Sequence, residues 1–360
     1  MAPKQEVVLV TGSSGCLGQH IVKLLQEKDD NVSEIRLFDR VPYDNKLGHE
    51  EKKSMKHYVA DIKNFDSLLE AFSGVDCVIH AAAVIDMRFY PDEKEMVATN
   101  VNGTKNVIDA CIQRNVARLV FSSTTDMVCG TEHIFYGTEI TTPIPTTFMI
   151  GKYGETKYTS EKLVLEASGT KLANGEATLK TLSVRSTPFY GEEDKKFFYS
   201  ILQHTKKSRG CYRKIRSLDE RLQVSYVGNA AWAHIKAKDR LAVDETISGE
   251  AFFITDDTPI IDIHEHFQFY IESRGYKVSD YIFPYWLAWI VLSLLAMVVS
   301  MVNLFVKFEV EIPPVSSLNY LCSTFFFNRS KATLRLDYQP LYSPEEAKQL
   351  SLEYYKNVPL

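Results

Sequence analysis

The segment that decides the fold is Glu6-Val-Val-Leu-Val-Thr-Gly-Ser-Ser-Gly-Cys-Leu-Gly18, near the start of the chain. Four apolar residues that favour β-structure, residues 7–10, run directly into a loop with three spaced glycines. This order of strand, glycine turn and helix points free backbone N–H groups at a pyrophosphate. Gly12 permits a tight turn, Gly15 lets a phosphate approach the backbone, and Gly18 lets the helix pack on the strand. Spaced glycines also occur in ordinary turns, so their position after a buried strand is what favours a nucleotide site.

Length and composition indicate a globular protein with one large domain and additions. The 360 residues are enough to bury a full core, and the formal net charge of −5 gives no general attraction to nucleic acid. The six cysteines are scattered without a CxxC pair, which suits a reducing compartment better than a disulfide scaffold. No signal peptide is expected, because the first strand begins by residue 6. No metal is expected either, since the two histidines of His264-Glu-His266 would point to different sides of a helix.

Strands and helices alternate after the glycine loop. Strands are predicted at residues 33–39, 57–62, 76–83 and 118–121, and the first helix is predicted at residues 17–27. This spacing is typical of βαβ units, so the predicted fold class is α/β, a Rossmann-like doubly wound parallel sheet. In such sheets ligands bind at the carboxyl ends of the strands.

An acidic residue at the end of the second predicted strand points to the cofactor. Asp39 lies about 20 residues past the glycines, where a carboxylate bonds both ribose hydroxyls of NAD and repels the 2′-phosphate of NADP. Arg40 offers that phosphate a partner, so NAD is preferred and NADP is the alternative. Asp61 and Ile62 are predicted to flank the adenine. The small residues that begin at Ala81 let the cofactor approach the backbone.

A tyrosine and a lysine near the middle of the chain suggest general base chemistry. Tyr153 and Lys157 are four residues apart on a predicted amphipathic helix, so they share a face. A phenol with its ordinary pKa of about 10 is a poor base at neutral pH, but a nearby cation favours the phenolate. Tyr158 and Lys162 have the same spacing, and the position at the start of the helix favours the first pair. The hydroxyl cluster at residues 122–125 follows the fifth strand, at the edge of the sheet where ligands bind.

These motifs resemble the extended short-chain dehydrogenases/reductases, and three later segments resemble the 3β-hydroxysteroid dehydrogenase/isomerase family. The later segments are Tyr226-Val-Gly-Asn-Ala-Ala-Trp-Ala-His234, Thr255-Asp-Asp-Thr-Pro259 and Leu336-Asp-Tyr-Gln-Pro-Leu-Tyr-Ser-Pro-Glu-Glu-Ala-Lys348. The resemblance spans essentially the whole chain. It implies an NAD-dependent enzyme that oxidises the 3β-hydroxyl of a steroid or sterol to the 3-ketone. The implied location is the endoplasmic reticulum membrane, or a mitochondrial membrane, with the catalytic domain in the cytosol and a homodimer allowed.

The resemblance also implies roles for single residues. It assigns the general base to Tyr153, and the ribose contact and the shift of that tyrosine's pKa to Lys157. Its catalytic hydroxyl falls on Thr124 when counted from the strand, and on Thr125 when counted back from Gly130; Thr124 is preferred. The predicted catalytic residues are thus Tyr153, Lys157 and Thr124. The predicted cofactor-binding residues are Gly12, Gly15, Cys16, Leu17, Gly18, Asp39, Arg40, Asp61, Ile62, Ala81, Asn100, Tyr153, Lys157 and Pro188.

The chain departs from the pattern of the family in two further places. The family often has Arg-Pro where this chain has Arg185-Ser-Thr-Pro188, so the wall beside the nicotinamide is expected to differ. Phe252 and Phe253 stand where vertebrate steroid members carry tyrosines, one of which is credited with the isomerase step. A phenylalanine cannot move a proton, which argues against Δ5–Δ4 isomerisation and leaves Asp256 or Asp257 as the substitute proton carrier.

The second half of the chain adds a substrate region and a membrane segment. No residue from 281 to 306 is charged, and residues 287–306 have the length that spans the hydrocarbon of a bilayer. Trp286 and Trp289 lie at one end, as interfacial aromatic residues do. A single span and a monotopic hairpin both remain open. The predicted domains are an NAD-binding Rossmann domain (1–190), a substrate-binding or lid region (191–280), a membrane-associated segment (281–330) and a C-terminal tail helix (331–360).

Two more segments are interpreted from their charge and periodicity. Residues 192–216 are rich in lysine and arginine, which we interpret as a solvated lid helix and loop rather than as contact with anionic lipid headgroups. Residues 344–355 are predicted to form an amphipathic helix with Ala347, Leu350 and Tyr354 on one face. That face needs a globular partner.

Three alternative functions remain open at this point. A 4-carboxysterol 3-dehydrogenase of the decarboxylating type is also membrane-bound, and release of CO₂ would distinguish it. A nucleotide-sugar epimerase shares the glycines and the Tyr/Lys pair, but the apolar segment at residues 281–306 argues against it. A membrane-tethered NAD-binding protein without enzymatic activity would not need the intact pair of Tyr153 and Lys157.

Overall fold

The computed structural model describes residues 5–217, 220–305 and 313–360. The strands are β1 (Glu6–Thr11), β2 (Val32–Asp39), β3 (Ser54–Val59), β4 (Cys77–His80), β5 (Arg118–Thr124), β6 (Ile134–Gly137), β7 (Lys180–Ser186), β8 (Phe189–Tyr190), β9 (Cys211–Arg216), β10 (Ser225–Tyr226), β11 (Glu250–Ile254), β12 (Lys277–Pro284) and β13 (Phe325–Phe327). The helices are α1 (Cys16–Lys28), α2 (Phe65–Ala71), α3 (Glu93–Met96), α4 (Thr104–Arg114), α5 (Gly151–Glu166), α6 (Phe198–Lys207), α7 (Val227–Val243), α8 (Ile263–Glu272), α9 (Tyr285–Asn303), α10 (Val315–Leu321), α11 (Ser330–Leu336) and α12 (Pro344–Asn357).

A seven-stranded sheet in the order β11-β7-β5-β4-β1-β2-β3 forms the centre of the structure. All of its strand pairs are parallel, so helices cross over both faces and bury the strands on both sides. Every residue of β5 is buried, for example. The strand order reverses between β1 and β4, which opens a crevice at their carboxyl ends. The predicted Rossmann-like parallel sheet is confirmed.

The glycine loop after β1 is built as the spacing predicts. Gly12 has a φ of +71°, and a Cβ on it would lie 2.7 Å from the backbone nitrogen of Ala82. A Cβ on Gly18 would lie only 2.0 Å from the carbonyl oxygen of Gly12, so α1 and the turn touch through bare backbone. Gly15 is less confined, because its Cβ would meet that carbonyl oxygen at 3.3 Å and nothing closer.

The structure corrects three of the predicted elements. β3 ends at Val59 rather than at residue 62, because Asp61 starts a turn in which its side chain accepts from the backbone nitrogen of Lys63. β4 ends at His80 rather than at residue 83. Part of the predicted lid loop is the strand β9, which pairs in parallel with β12. That partner lies far along the chain, so no local pattern announces the pairing.

The tail helix α12 packs on the same body as the glycine loop. A capping box formed by Ser343 and Glu346 starts the helix. At its other end the hydroxyl of Tyr355 accepts from the backbone nitrogen of Gly191 at 2.9 Å and donates to Asp194 Oδ2 at 3.0 Å. These bonds are buried, so the C-terminal residues are part of the core.

The buried face of α12 differs in part from the predicted one. Ala347 is buried, as expected, but Leu350 and Tyr354 are only half-buried. The fully buried residues of the last two turns are Ser351 and Tyr355. Relative to the predicted face, the helix is therefore rotated by one residue, so that Tyr355 rather than Tyr354 points inward. The reason is that Tyr355 has buried polar partners, which an apolar pattern does not reveal.

Helix α9 projects its apolar surface away from the core. It is long and apolar enough to cross a membrane, by length and composition, and only 11% of its most apolar stretch is buried. Val306, Lys307 and Glu309, which the sequence places at the end of the apolar segment, lie outside the described residues. The shorter apolar run that follows forms α10 and β13.

Replacing Gly18 by alanine should destabilise the fold by roughly 1–3 kcal/mol or more, because the new methyl group would overlap the Gly12 carbonyl and neither backbone can move freely. Chemical denaturation of the cofactor-free protein measures this free energy of unfolding. Gly15→Ala is the matched control and should change the stability by less than about 1 kcal/mol, since its methyl group meets one atom at a tolerable distance. Equal losses in the two variants would contradict the packing role of Gly18.

Candidate active site

A cavity of about 250 Å³ lies at the carboxyl ends of β1 to β4, where the strand order reverses. It is formed by the loops that leave four neighbouring strands, and seven predicted cofactor residues line it. These are Gly12, Gly15, Asp39, Arg40, Asp61, Ile62 and Ala81. Small residues on the β4 side leave the backbone open to a ligand. The cavity therefore fits one end of a dinucleotide that rests on the start of α1.

The carboxylate of Asp39 joins two of these loops. Its Oδ2 accepts from the backbone nitrogen of Ser14 at 3.0 Å, and its Oδ1 accepts from that of Val41 at 3.2 Å. Both oxygens have acceptor capacity left for ribose hydroxyls. Arg40 is turned toward acidic residues, with its Nη1 3.1 Å from Glu95 Oε1. The basic group that would accept a 2′-phosphate is thus already paired, which agrees with NAD rather than NADP.

The other predicted cofactor residues surround this cavity without lining it. Cys16 donates its thiol to the carbonyl of Glu192 at 3.5 Å, and Leu17 is buried. Asn100 holds the chain after β4, because its Oδ1 accepts from the backbone nitrogen of Val84 at 2.7 Å. Pro188 lies between β7 and β8. These positions support the shape of the site, and their contact with a cofactor stays a prediction.

Tyr153, Lys157 and Thr124 are each buried, with exposed fractions of 6%, 4% and 7%. The first two lie on α5, which packs along β5 and the short 3₁₀ turn that follows it. The Nζ of Lys157 donates to the carbonyl oxygen of Ser122 at 2.5 Å and lies 4.2 Å from the centre of the Phe121 ring. The lysine is thereby fixed to the end of β5. The catalytic roles of these residues stay predictions.

Burial dominates the protonation of this pair. It lowers the pKa of Lys157 to about 7, with Glu161 partly opposing the effect. It raises the pKa of Tyr153, and the charge of Asp126 raises it further. This differs from the expectation that Lys157 lowers the pKa of the tyrosine. The reason is that the ammonium group is itself desolvated and gives its short hydrogen bond to a carbonyl oxygen.

The two candidate hydroxyls differ in their hydrogen bonding. Thr124 is the last residue of β5, and its Oγ1 accepts from the backbone nitrogen of Asp126 at 3.1 Å. The Thr124 side chain also hydrogen-bonds to the Asp126 carboxylate, which acts to lower the pKa of that group. Thr125 begins the 3₁₀ turn, and its buried Oγ1 has no hydrogen-bond partner among the described residues. Both hydroxyls therefore lie at the end of β5.

One buried pair beside this turn was missed by the sequence analysis. Tyr320, on α10, donates its hydroxyl to Asp126 Oδ1 at 2.6 Å. Burial raises the pKa of Asp126, and the hydrogen bonds that its carboxylate makes with the side chains of Tyr320 and Thr124 partly offset that rise. The two residues are 194 positions apart in sequence, so no local signal could have paired them.

A buried histidine was also missed. The ring nitrogens of His80 lie 2.7 Å from Thr11 Oγ1 and 3.0 Å from Thr104 Oγ1. Burial lowers the pKa of His80 to about 3, so the ring is neutral. It joins the end of β1 to α4 beneath the glycine loop. Its position at the end of an apolar strand was the feature of the sequence that could have indicated a buried histidine.

Comparison with known proteins agrees with this geometry. Residues 9–285 match the profile of the 3-beta hydroxysteroid dehydrogenase/isomerase family. The chain is 31% identical to 3 beta-hydroxysteroid dehydrogenase type 7 of Mus musculus, over 97% of this chain and 95% of the relative. It is 27% identical to short-chain dehydrogenase/reductase family 42E member 1 of Xenopus laevis, over 98% of this chain and 89% of the relative.

Solved structures share the fold at lower identity. MoeE5 in complex with UDP-glucuronic acid and NAD superposes with a TM-score of 0.68 at 18% identity, covering 96% of this chain and 98% of that protein. The family profile covers more than half of the chain, and the relatives match it nearly end to end. The chain therefore belongs to the 3-beta hydroxysteroid dehydrogenase/isomerase family, a family of NAD-dependent oxidoreductases.

Proposed function

We propose that the chain is a membrane-bound enzyme that oxidises the 3β-hydroxyl of a steroid or sterol to the 3-ketone. The observation that carries the proposal is the burial of Tyr153 and Lys157 against the end of β5, beside the crevice of the glycine loop. The name of the mouse relative supports a steroid substrate. The exposed apolar helix α9 supports a membrane, for which we propose the endoplasmic reticulum with the catalytic body in the cytosol.

The oxidation removes a hydride from C3 and a proton from the hydroxyl, and a C=O bond forms between the same two atoms. NAD supplies the acceptor for that hydride when it is bound. The residues that would hold it are Gly12 and Gly15, whose lack of side chains lets the pyrophosphate approach the start of α1, and Asp39, through the ribose hydroxyls. Tyr153, as a phenolate, takes the hydroxyl proton and becomes a phenol. Thr124 donates to the same substrate oxygen and orients it, once its hydroxyl has turned away from the Asp126 carboxylate.

Lys157 makes the proton transfer feasible by changing its own charge. A lysine whose pKa is about 7 is close to half charged at neutral pH. A phenolate that forms on Tyr153 favours the ammonium form, because opposite charges in a buried site attract strongly. Asp126 opposes the phenolate, and the hydrogen bond from Tyr320 holds that carboxylate in place.

We propose that the product keeps its original double bond. Phe252 and Phe253 are fully buried in β11, and neither can transfer a proton. The Asp256 carboxylate is occupied, because it accepts from the backbone nitrogen of Tyr226 at 2.8 Å and from Asn229 Nδ2 at 2.9 Å. Asp257 lies at the surface, where Arg329 donates to it. These contacts leave no described carboxylate among the candidates free for an isomerase step.

A decarboxylating 4-carboxysterol dehydrogenase remains the second candidate, because its oxidation of C3 would use the same residues. Loss of CO₂ would follow from the 3-ketone rather than from a separate catalytic group. An epimerase is less favoured, since a steroid dehydrogenase and a short-chain dehydrogenase match at 31% and 27% identity, whereas the epimerase structures match at 16–19%. The product distinguishes all three.

Tyr153→Phe should lower the rate of sterol oxidation by about 10²–10⁴-fold, because it removes the proton acceptor. The test follows NADH formation by the detergent-solubilised full chain against 3β-hydroxysteroids, with and without a 4-carboxyl group, and mass spectrometry identifies the product. Tyr158→Phe, on the same helix, is the control and should keep the wild-type rate. Undiminished oxidation by Tyr153→Phe would overturn the mechanism, and a wild-type chain that binds NAD but oxidises no sterol would overturn the substrate class.

The stability of the cofactor-free protein should rise from pH 7 to about pH 10 because of Lys157. Its pKa is about 7 in the fold and about 10.4 when unfolded, so the unfolded chain binds the extra proton in this window and the free energy of unfolding increases with pH. Lys157→Met should remove a slope of at most about 1.4 kcal/mol per pH unit. Chemical denaturation at several pH values measures it. The exposed Lys162→Met is the control, and an unchanged slope in Lys157→Met would contradict the prediction.

Tyr320→Phe should destabilise the protein by about 1–3 kcal/mol at neutral pH, because it removes one of the donors to the buried Asp126 carboxylate. The loss should shrink as the pH falls, since the rise in the pKa of Asp126 lets a proton neutralise it. Denaturation at pH 5 and pH 7.5 measures both effects. Tyr285→Phe, which loses a less buried bond to Asn319, should cost no more than about 1 kcal/mol at either pH. A pH-independent loss in Tyr320→Phe would show that packing alone is responsible.

A further inference from the structure

Helix α9 has no polar face. Large apolar side chains are exposed around it, from Trp286 at its start, 62% exposed, to Met301 near its end, 56% exposed. A helix that lies among lipid headgroups has one strongly polar side, which α9 lacks. Its side chains therefore suit acyl chains rather than lipid headgroups.

The start of α9 is fixed to the catalytic body. The hydroxyl of Tyr285 donates to Asn319 Oδ1 at 3.0 Å, and Ala288 is buried against Leu318 and Cys322 of α10. The strand β12 leads directly into the helix and pairs with β9. The first turn of α9, which we call its foot, is thus held between the β9/β12 sheet and helix α10.

The chain that follows α9 is also fixed to the catalytic body. Tyr320 on α10 reaches Asp126 beside the predicted catalytic turn. β13 then pairs with β6, and α12 packs its Tyr355 against Asp194. Everything after residue 313 therefore lies on the same side of any membrane as the NAD cleft. This arrangement rules out a single span with the tail on the far side.

An upright α9 would also need an unfavourable return path. Its 19 residues give a length of about 28 Å, which nearly equals the bilayer's hydrocarbon thickness of about 30 Å. Val315 follows Asn303 by twelve residues, whose fully extended reach is about 40 Å, and it lies one turn from the foot of the helix. A return across the bilayer would use most of that reach, and the sequence between the two residues carries the charges of Lys307, Glu309 and Glu311, which are costly in hydrocarbon.

We propose that α9 is a one-leaflet anchor, which lies nearly parallel to the membrane plane in the outer part of the acyl region and has both ends at the same face of the membrane. This rests on the membrane attachment proposed above and specifies its topology. The occupant of the apolar surface is the hydrocarbon of a single leaflet.

The anchor places a second cavity at the membrane surface. This cavity of about 510 Å³ lies at the foot of α9 and is separate from the cleft beside the glycine loop. Its lining residues are Arg216, Ser217, Ile282, Pro284, Tyr285 and Trp286. In a one-leaflet arrangement the mouth of this cavity lies at the headgroup level. Helix α10 connects this region to the turn at Asp126, beside the predicted catalytic residues. A substrate that partitions into lipid would leave the leaflet at this point.

The test uses the full chain in sealed vesicles, with single cysteines labelled from outside by a membrane-impermeant maleimide. Leu304→Cys marks the far end of α9, Tyr281→Cys marks the strand before its foot, and Asn357→Cys marks the tail. Peptide mass spectrometry reads each position separately, so the native cysteines stay in place. A pore-forming toxin then opens the vesicles without dissolving the bilayer.

We expect all three positions to be labelled from outside to the same extent before the vesicles are opened. Labelling of Leu304→Cys only after opening, with the other two labelled before, would overturn the proposal in favour of a full crossing. Labelling of Leu304→Cys only in detergent would overturn it as well, because that end would not reach water. Failure of the chain to float with the vesicles would instead remove the proposed membrane attachment, and sterol oxidation in detergent tests the proposed enzyme independently.

Discussion

The contact between the backbones of Gly12 and Gly18 is the constraint on which the site depends. It draws the start of α1 to the end of β1, where no side chain could fit between them. The parallel sheet then brings the ends of β2 and β4 to the same crevice, and Asp39 closes the turn by accepting from Ser14. The site is therefore a consequence of close backbone packing. Its polar groups are those that this packing leaves without a partner inside the helix.

The local and the nonlocal features of the fold were predictable to different degrees. The glycine loop, Asp39 and the pairing of Tyr153 with Lys157 on one helix follow from residue types at short spacings, and the parallel sheet follows from their alternation. β9 and the bond between Tyr320 and Asp126 depend on partners far along the chain. Their local sequences look like a basic loop and an apolar run. Contacts between distant segments determine the structure of such elements, and the local sequence pattern does not reveal those contacts.

Burial shifts the pKa values of the two residues of the predicted proton relay in opposite directions. It disfavours the phenolate of Tyr153 and the ammonium of Lys157, so each group is neutral more often than in water. The charged forms, a phenolate on Tyr153 and an ammonium on Lys157, stabilise one another only when they occur together. The desolvated site thus suppresses stray ionisation without substrate, and it makes the charged pair worth more when the reaction demands it.

Helix α10 joins the proposed membrane anchor to this relay. α10 supports the foot of α9 through Asn319 and, at the next residue, reaches Asp126 through Tyr320. A shift of the anchor in the leaflet would therefore change the position of a buried carboxylate beside Tyr153. Because interiors are close-packed, such a shift is transmitted rather than absorbed. The anchor and the chemistry are then parts of one rigid unit, which suits a substrate that must pass from lipid to a water-free site without crossing bulk solvent.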